Sequence, residues 1–435
     1  MLARLARAAR FGSLLGTLVG ALAAGAAGCG GDDGNGGPDG GSHGDGGSQP
    51  DASLEGVTVV PLVSLGGFSY TAKINFGAQS FASIVDTGSS STGIAAATCT
   101  TCGVSPAYTP GASAVDKHKT AESHFGDGST WTGEIFEDSA AIGTGPQVKL
   151  DFAAISSDGG FFNRGAYAGI IGLGPDALLI AGTSSYISAA VGGGLKGQLA
   201  FELCPDAGTM WLGGFDSSHA AAAPAFTPLS TSPFFGAYYA VNVAGVSIDG
   251  ADTGITQAQM GPTIVDTGTS ITFMPKPVIN TLIAKISATS GYKAAFGTQA
   301  LTDGGCVSTS MTAAQIDASL PKFAISFPKT TGGTGAPIEL PATQSYLAQQ
   351  GGGFCFTISD ASQLFQGATA SLIGDTMLTG MITVIDVSKK QVGFAVQTGC
   401  AAAHIAHSAG TATTMPTETP WFRHAPGVRL PPQMR

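Results

Sequence analysis

Between Val57 and Cys400 the apolar residues fall in short runs, many alternating with polar ones, and the runs end at Gly, Asn, Asp or Pro. Phe68 to Phe76 alternates at a period of two and stops at Gly77. That period puts successive side chains on opposite faces, the signature of a half-buried strand. Tyr238 to Ile248 is rich in strand-forming residues and ends at Asp249-Gly250, a pair suited to a hairpin turn. Helical spacing is rare. The best case runs from Pro277 to about Thr289, with Val278, Ile279, Leu282, Ile283 and Ile286 on one face and Gly291 as the expected stop. A shorter helix is predicted from Thr312 to Leu320, ahead of Pro321. The pattern predicts an all-β body with minor helix.

Composition narrows this further. Only 11% of the 435 residues are charged, where a soluble chain usually carries about a quarter. The net charge of −10 excludes a nucleic-acid binder that works through a basic surface. Gly 65 and Pro 23 lower helix propensity throughout, so a helical bundle is excluded too. Wholesale disorder is ruled out because 43% of residues are hydrophobic, enough for one large domain or two medium ones.

The two ends read differently from the body. Residues 1–28 form an export signal, with Arg4, Arg7 and Arg10 ahead of an apolar run from Phe11 to about Ala27. Cleavage at an ordinary Ala-x-Ala site is one reading. The other is a bacterial lipoprotein signal, which the segment resembles, with Cys29 as the lipidated residue and the membrane as a partner through that anchor; Ala26 departs from the Leu usual in such signals. Residues 29–56 are a Gly/Asp-rich tether expected to be flexible, and residues 401–435 an expected disordered tail. His404 and His407 in that tail read as solvated side chains, since no third ligand lies near.

Seven cysteines occur, at 29, 99, 102, 204, 306, 355 and 400. With Cys29 set aside six remain, which permits three bridges in an exported protein but does not choose among about 15 pairings. Cys99-Thr100-Thr101-Cys102 also stands as a possible redox pair, which would require a βαβ context.

Two segments carry the chemistry. They are Ile84-Val85-Asp86-Thr87-Gly88-Ser89 and Ile264-Val265-Asp266-Thr267-Gly268-Thr269, each an apolar strand delivering an Asp into a tight glycine turn followed by hydroxyl residues. Each is echoed downstream, by Ile170-Ile171-Gly172 and by Leu372-Ile373-Gly374. A third copy, Asp252-Thr253-Gly254, follows no apolar strand, has Ile255 where the hydroxyl should be, and reads as a surface turn. A pair of adjacent carboxyls cannot both ionise cheaply, so they share a proton; one can act as base on a water while the other donates to a carbonyl.

On these residues the chain resembles the pepsin-like aspartic proteases from about Val57 to Cys400. Phe125-Gly126-Asp127-Gly128-Ser129 matches the active-site flap, and Trp211-Leu212-Gly213-Gly214, Leu372-Ile373-Gly374-Asp375 and Val392-Gly393-Phe394-Ala395 add to the match. The resemblance implies a bilobal fold, two β-barrel-like lobes (57–228 and 229–400) with a cleft between them. It implies an endopeptidase acting on polypeptides, a monomer, without metal or other cofactor. Asp86 and Asp266 are then catalytic; Thr87 and Thr267 brace the loops across the lobes; Ser89 and Thr269 bond the outer carboxylate oxygens; Gly88 and Gly268 bring the backbone close. It also implies bridges Cys99–Cys102, Cys306–Cys355 and Cys204–Cys400.

Three departures from the family pattern bear on function. Phe125 stands where the flap usually has Tyr, and Gly93 where its Trp partner stands. Phe125 is still expected to cap substrate with apolar surface, and Trp131 reads either as filling the space beside Gly93 or as an ordinary packed aromatic. Relatives carry a basic inhibitory pro-segment, whereas residues 30–55 hold no Lys or Arg, so none is expected here. The rival to an enzyme is a peptide-binding or inhibitor lipoprotein on the same fold; intact residues in both Asp loops favour the enzyme.

Overall fold

The structure is a computed structural model that describes residues 54–162, 166–350 and 352–400. The predicted signal, nearly all of the tether and the tail lie outside the described residues, and with them Cys29, His404 and His407.

One four-strand motif appears twice. In the first half the strands stand in the order Gln79–Asp86, Gly169–Gly172, Gly93–Ala95, Val148–Gly159; in the second the order is Thr263–Val265, Ser371–Ile373, Thr272–Met274, Ile358–Asp360. In both, the first pair is parallel, the second antiparallel and the third parallel. The Asp-bearing strand thus lies beside the strand of its downstream echo, with Asp86 opposite Gly172 and Val265 opposite Ile373. The echo glycines have a steric reason. A Cβ on Gly172 would sit 2.3 Å from the Ser90 carbonyl carbon, and one on Gly374 would sit 2.3 Å from the Ile271 oxygen. The Asp loops cross there, and only a residue without a side chain lets them pass.

The two halves share a sheet. Strand Gln198–Leu203 pairs on one side with Ala207–Leu212, itself paired to Thr58–Ser64, and on the other with Met381–Asp386. Gln391–Val396 and Ala225–Pro228 extend it. The main apolar core is anchored in the first half by Tyr70, Phe76, Phe81, Tyr108 and Phe152, all fully buried.

The predicted elements are found with instructive changes. The alternating run at Phe68 becomes strand Tyr70–Phe76. The run from Tyr238 splits into Ala240–Val241 and Gly245–Ile248, because Val241 pairs with Thr263 in one sheet and Gly245 with Ser326 in another. Asp249 and Gly250 both have positive φ, 50° and 74°, and turn the chain back into Ala251–Asp252. Helix Ala313–Ser319 opens with a reciprocal cap between Thr312 and Gln315. Helix Lys276–Ala288 buries Val278, Ile279, Leu282 and Ile286. Gly291 does not stop it. Thr289 ends the helix in an extended conformation and caps a second one, Ser290–Phe296, that contains Gly291. Glycine is needed there because a Cβ would lie 1.8 Å from the Ser319 carbonyl oxygen.

All three bridges join the pairs that the resemblance implied: Cys99–Cys102, Cys204–Cys400 and Cys306–Cys355. The first lies in a turn between strands Gly93–Ala95 and Val115–His124, not in a βαβ unit.

Candidate active site

Parallel strand pairing ends at the two Asp residues, and their loops then meet. Asp86, Thr87, Asp266 and Thr267 are all fully buried. The Thr87 hydroxyl donates to the Val265 carbonyl at 2.9 Å and accepts from the Thr267 N–H at 3.0 Å. The Thr267 hydroxyl donates to the Val85 carbonyl at 2.9 Å and accepts from the Thr87 N–H at 3.2 Å. Four buried hydrogen bonds therefore tie the loops together across a sequence gap of about 180 residues, and each loop fixes the position of the other.

The carboxyls are held in matching ways. The Gly88 N–H donates to Asp86 Oδ1 at 2.8 Å and the Ser89 hydroxyl to Oδ2 at 2.5 Å. The Gly268 N–H donates to Asp266 Oδ1 at 2.8 Å and the Thr269 hydroxyl to Oδ2 at 2.6 Å. The glycines do a second thing that the motif alone does not disclose. A Cβ on Gly88 would lie 2.6 Å from Asp266 Cγ, and one on Gly268 would lie 2.3 Å from Asp86 Oδ1. Each carboxyl lies directly over the glycine of the opposite loop, which brings the two acids together.

Burial pushes the Asp86 carboxyl well above the usual carboxylate range, and the neighbouring Asp266 pushes it in the same direction. In general, two carboxyls in close contact ionise one at a time, so such a pair can hold one proton between them. Such a pair can take a proton from water with one carboxyl and give one to a carbonyl with the other. Among the described residues no group of three or more His, Cys, Asp or Glu is placed to hold a metal ion.

The segment expected to be the flap, Phe125 to Ser129, is the turn of a long hairpin, Val115–His124 with Thr130–Ile142. Phe125 N–H donates to Ser129 O, Gly128 N–H to Phe125 O, and Asp127 accepts from both the N–H and the hydroxyl of Ser129. Gly128 supplies the positive φ, 85°, that closes the turn. Phe125 differs from expectation. Its ring is 3% exposed and stacks on Phe161 at 5.2 Å, in an apolar cluster with Trp131, Phe162, Tyr167 and Ile170. In this arrangement it offers a substrate almost no surface, because burial against aromatic neighbours outcompetes exposure over a cleft. Trp131 does lie against Gly93, where a Cβ would be 3.2 Å from its Cζ2. Its buried indole N–H has no acceptor among the described residues.

The third Asp-Thr-Gly is apart from all this. Asp252 is exposed and accepts from the Gly254 N–H, closing a surface turn. One residue of the site went unassigned in the sequence. Asp375 is fully buried beside the pair, and neither carboxyl oxygen has a hydrogen-bond partner among the described residues. Its signal was an acid following the echo glycine of the second half, where the first half has Leu173.

Comparison with known proteins agrees with this geometry. The family described as eukaryotic aspartyl protease matches residues 69–397. An "Aspartic protease" of Phaffia rhodozyma is 27% identical over 332 residues, 75% of this chain and 76% of that protein. The "Vacuolar aspartic protease" of Candida albicans is 26% identical over 77% of each chain. "Gastricsin" of Cavia porcellus is 25% identical over 75% of this chain and 80% of that protein.

Proposed function

The chain belongs to the eukaryotic aspartyl protease family, the pepsin-like aspartic endopeptidases, and from that premise we propose that Asp86 and Asp266 are its catalytic dyad. One ionised carboxyl takes a proton from a water held between them as that water attacks the scissile carbonyl. The protonated partner donates to the carbonyl oxygen, so a neutral amide becomes a tetrahedral intermediate without a covalent enzyme adduct. Thr87 and Thr267 keep the two acids in register, Ser89 and Thr269 orient the outer oxygens, and Gly88 and Gly268 admit the opposite carboxyl. The observation that carries this reading is the placement of each carboxyl over the other loop's glycine.

The substrate is an extended polypeptide that crosses the cleft between lobes 57–228 and 229–400, under the flap Phe125 to Ser129. Apolar residues flank the cut, and the enzyme works in acid, where the pair retains its shared proton. The test is hydrolysis of an unfolded protein from about pH 3 to 7 by wild type, Asp86→Asn and Asp266→Ala. Each variant should lose about 10³-fold or more in kcat/KM. Activity surviving in both would refute the assignment, and a wild type that binds peptides without cutting them would establish the non-catalytic reading.

Export agrees with the three bridges. Lipid anchoring through Cys29 and a monomeric state complete the proposal. The relatives compared above are eukaryotic and lend no support to such an anchor, so it rests on the sequence alone. Cys29→Ala should move the protein from the membrane fraction to the soluble fraction; unchanged partitioning would remove Cys29 as the anchor.

A further inference from the structure

Of the three bridges, Cys99–Cys102 closes the shortest loop, with a sequence separation of 3 against 49 and 196 for the others. A bridge stabilises a fold mainly through the loop it closes in the unfolded chain, so this one contributes least to holding the molecule together. Its two sulfurs are unequally placed. Cys102 is 4% exposed and belongs to the apolar cluster of Phe125, Trp131 and Phe161, whereas Cys99 is half-buried between the exposed Thr98 and Thr100. The Cys102 N–H donates to Cys99 Sγ at 3.1 Å. The Thr101 hydroxyl lies 3.6 Å from the same sulfur and accepts from the Asp158 N–H at 3.1 Å, which leaves its own proton to point at Cys99. One sulfur is thus open to attack and already has the donors that stabilise a thiolate.

Thr101 connects this sulfur to the hairpin turn. Asp158, which donates to Thr101, accepts with Oδ1 from the Phe161 N–H at 2.6 Å and from the Phe162 N–H at 3.2 Å. Those bonds seat the Phe161 ring, which stacks on Phe125 at 5.2 Å. The Tyr167 hydroxyl donates to the Phe161 carbonyl, and the two rings meet edge to face at 5.5 Å. Asp158 is also paired with Trp131 on the return strand of the hairpin. A continuous path therefore runs from the bridge through Thr101, Asp158 and Phe161 to Phe125, whose ring is held inward at its far end.

We propose that Cys99–Cys102 is a thiol-exchange site: a partner bearing two thiols opens the bridge, and the opening releases Phe125 from its aromatic seat to cover bound substrate. The second half of the proposal rests on the reading of the chain as a protease with Phe125 in its flap. The partner's thiolate attacks Cys99 Sγ, the sulfur that solvent reaches. A mixed disulfide forms there, the Cys99–Cys102 bond breaks, and Cys102 leaves as a thiolate that takes a proton from water. The partner's second thiolate then attacks its own sulfur in the mixed disulfide. Cys99 leaves as a thiolate held by the Cys102 N–H and the Thr101 hydroxyl. The bridge gains two electrons and the partner's dithiol becomes a disulfide. With the loop open, Thr101 no longer fixes Asp158, Asp158 no longer fixes Phe161, and the stack on Phe125 loosens. The oxidised protein thus withholds an apolar contact that the reduced protein offers.

The experiment treats the folded protein with dithiothreitol near pH ~7, where thiolate is available, and stops exchange with acid. Alkylation and peptide mass mapping should find Cys99 and Cys102 labelled first, with Cys204–Cys400 and Cys306–Cys355 still closed. Hydrogen exchange should then speed up at residues 125–129 and 158–162. In an acid assay KM should fall by about threefold, the worth of one aromatic contact, with kcat changed by less than about twofold. The double variant Cys99→Ser with Cys102→Ser should show the low KM without dithiol, and Phe125→Ala should lose the KM response while its bridge still opens. Opening of another bridge first, or unchanged exchange at 125–129 once Cys99 and Cys102 are free, overturns the proposal. So does a reduced protein that loses kcat and thermal stability with KM unmoved, the mark of a merely structural bridge. A protein inactive in both states at every pH would instead refute the functional reading, and mass mapping and hydrogen exchange would still decide whether the bridge exchanges and loosens the turn.

Discussion

The loops around Asp86 and Asp266 are near copies, and the difference between them is more informative than the likeness. Both have the same four strands, the same glycine-over-carboxyl contact and the same threonine grip. Near-identity of this kind is what the proposed task requires, two acids sharing one proton. The halves part at the residue after the echo glycine, Leu173 against Asp375, and in the hairpin turn Phe125 to Ser129, which belongs to the first half. Symmetry holds around the two carboxyls, and asymmetry begins at the residue after the echo glycine and at the hairpin turn Phe125 to Ser129.

The sharpest way to break this comparison is to add one carbon. Gly88→Ala places a Cβ 2.6 Å from Asp266 Cγ, and Gly268→Ala one 2.3 Å from Asp86 Oδ1. Displacing a reacting group by about 1 Å costs on the order of 10²-fold, so both variants should lose at least that in kcat/KM while keeping their circular dichroism. If one loop tolerates alanine, the halves are not equivalent at the site.

The grip comes next. Thr87→Ala and Thr267→Ala each remove one buried donor and strand partners in the other loop, a loss of about 1–3 kcal/mol apiece. Because the four bonds form one unit, the double variant should cost less than the sum of the singles. Denaturant midpoints of the three proteins check this, and simple additivity would show that the loops are held independently.

The pH dependence of stability separates the halves again. Burial holds Asp375 and Asp86 well above their ordinary range. The unfolded chain releases those protons near pH ~4, and the folded chain keeps them to higher pH. The stabilisation is therefore complete below about pH 4 and is lost as pH rises through the folded values, at up to ~1.4 kcal/mol per pH unit for each group. Asp375→Asn should flatten that decline in guanidinium titrations between about pH 4 and 7; stability that climbs over the same interval would contradict the buried protons. The smallest effect is expected where the two loops differ by a methyl group. Thr269→Ser keeps the hydrogen bond to Asp266 and should alter kcat/KM by less than about threefold.

What the sequence disclosed follows the range of the forces. The Asp loops were legible because strand, turn and hydroxyl lie within a few residues, and because the theme occurs twice. The helix from Lys276 was legible from its spacing, and the cap at Thr312 from Gln315 three residues on. Gly291 misled because its reason is a carbonyl 28 residues away in sequence, at Ser319. Phe125 turned inward for a similar reason, since its stacking partner Phe161 belongs to a distant segment. Asp375 stood within a quoted motif, yet its lack of partners is a property of the assembled core, which no local pattern records.

The bridge Cys204–Cys400 has one further consequence. It ties the end of the described chain to the first half, while the passage between the halves runs through the exposed Ala221-Ala222-Ala223. A single cut in that passage does not divide the molecule. It yields a two-chain protein whose fragments, each bearing one Asp loop, stay covalently joined and come apart on a gel only after reduction.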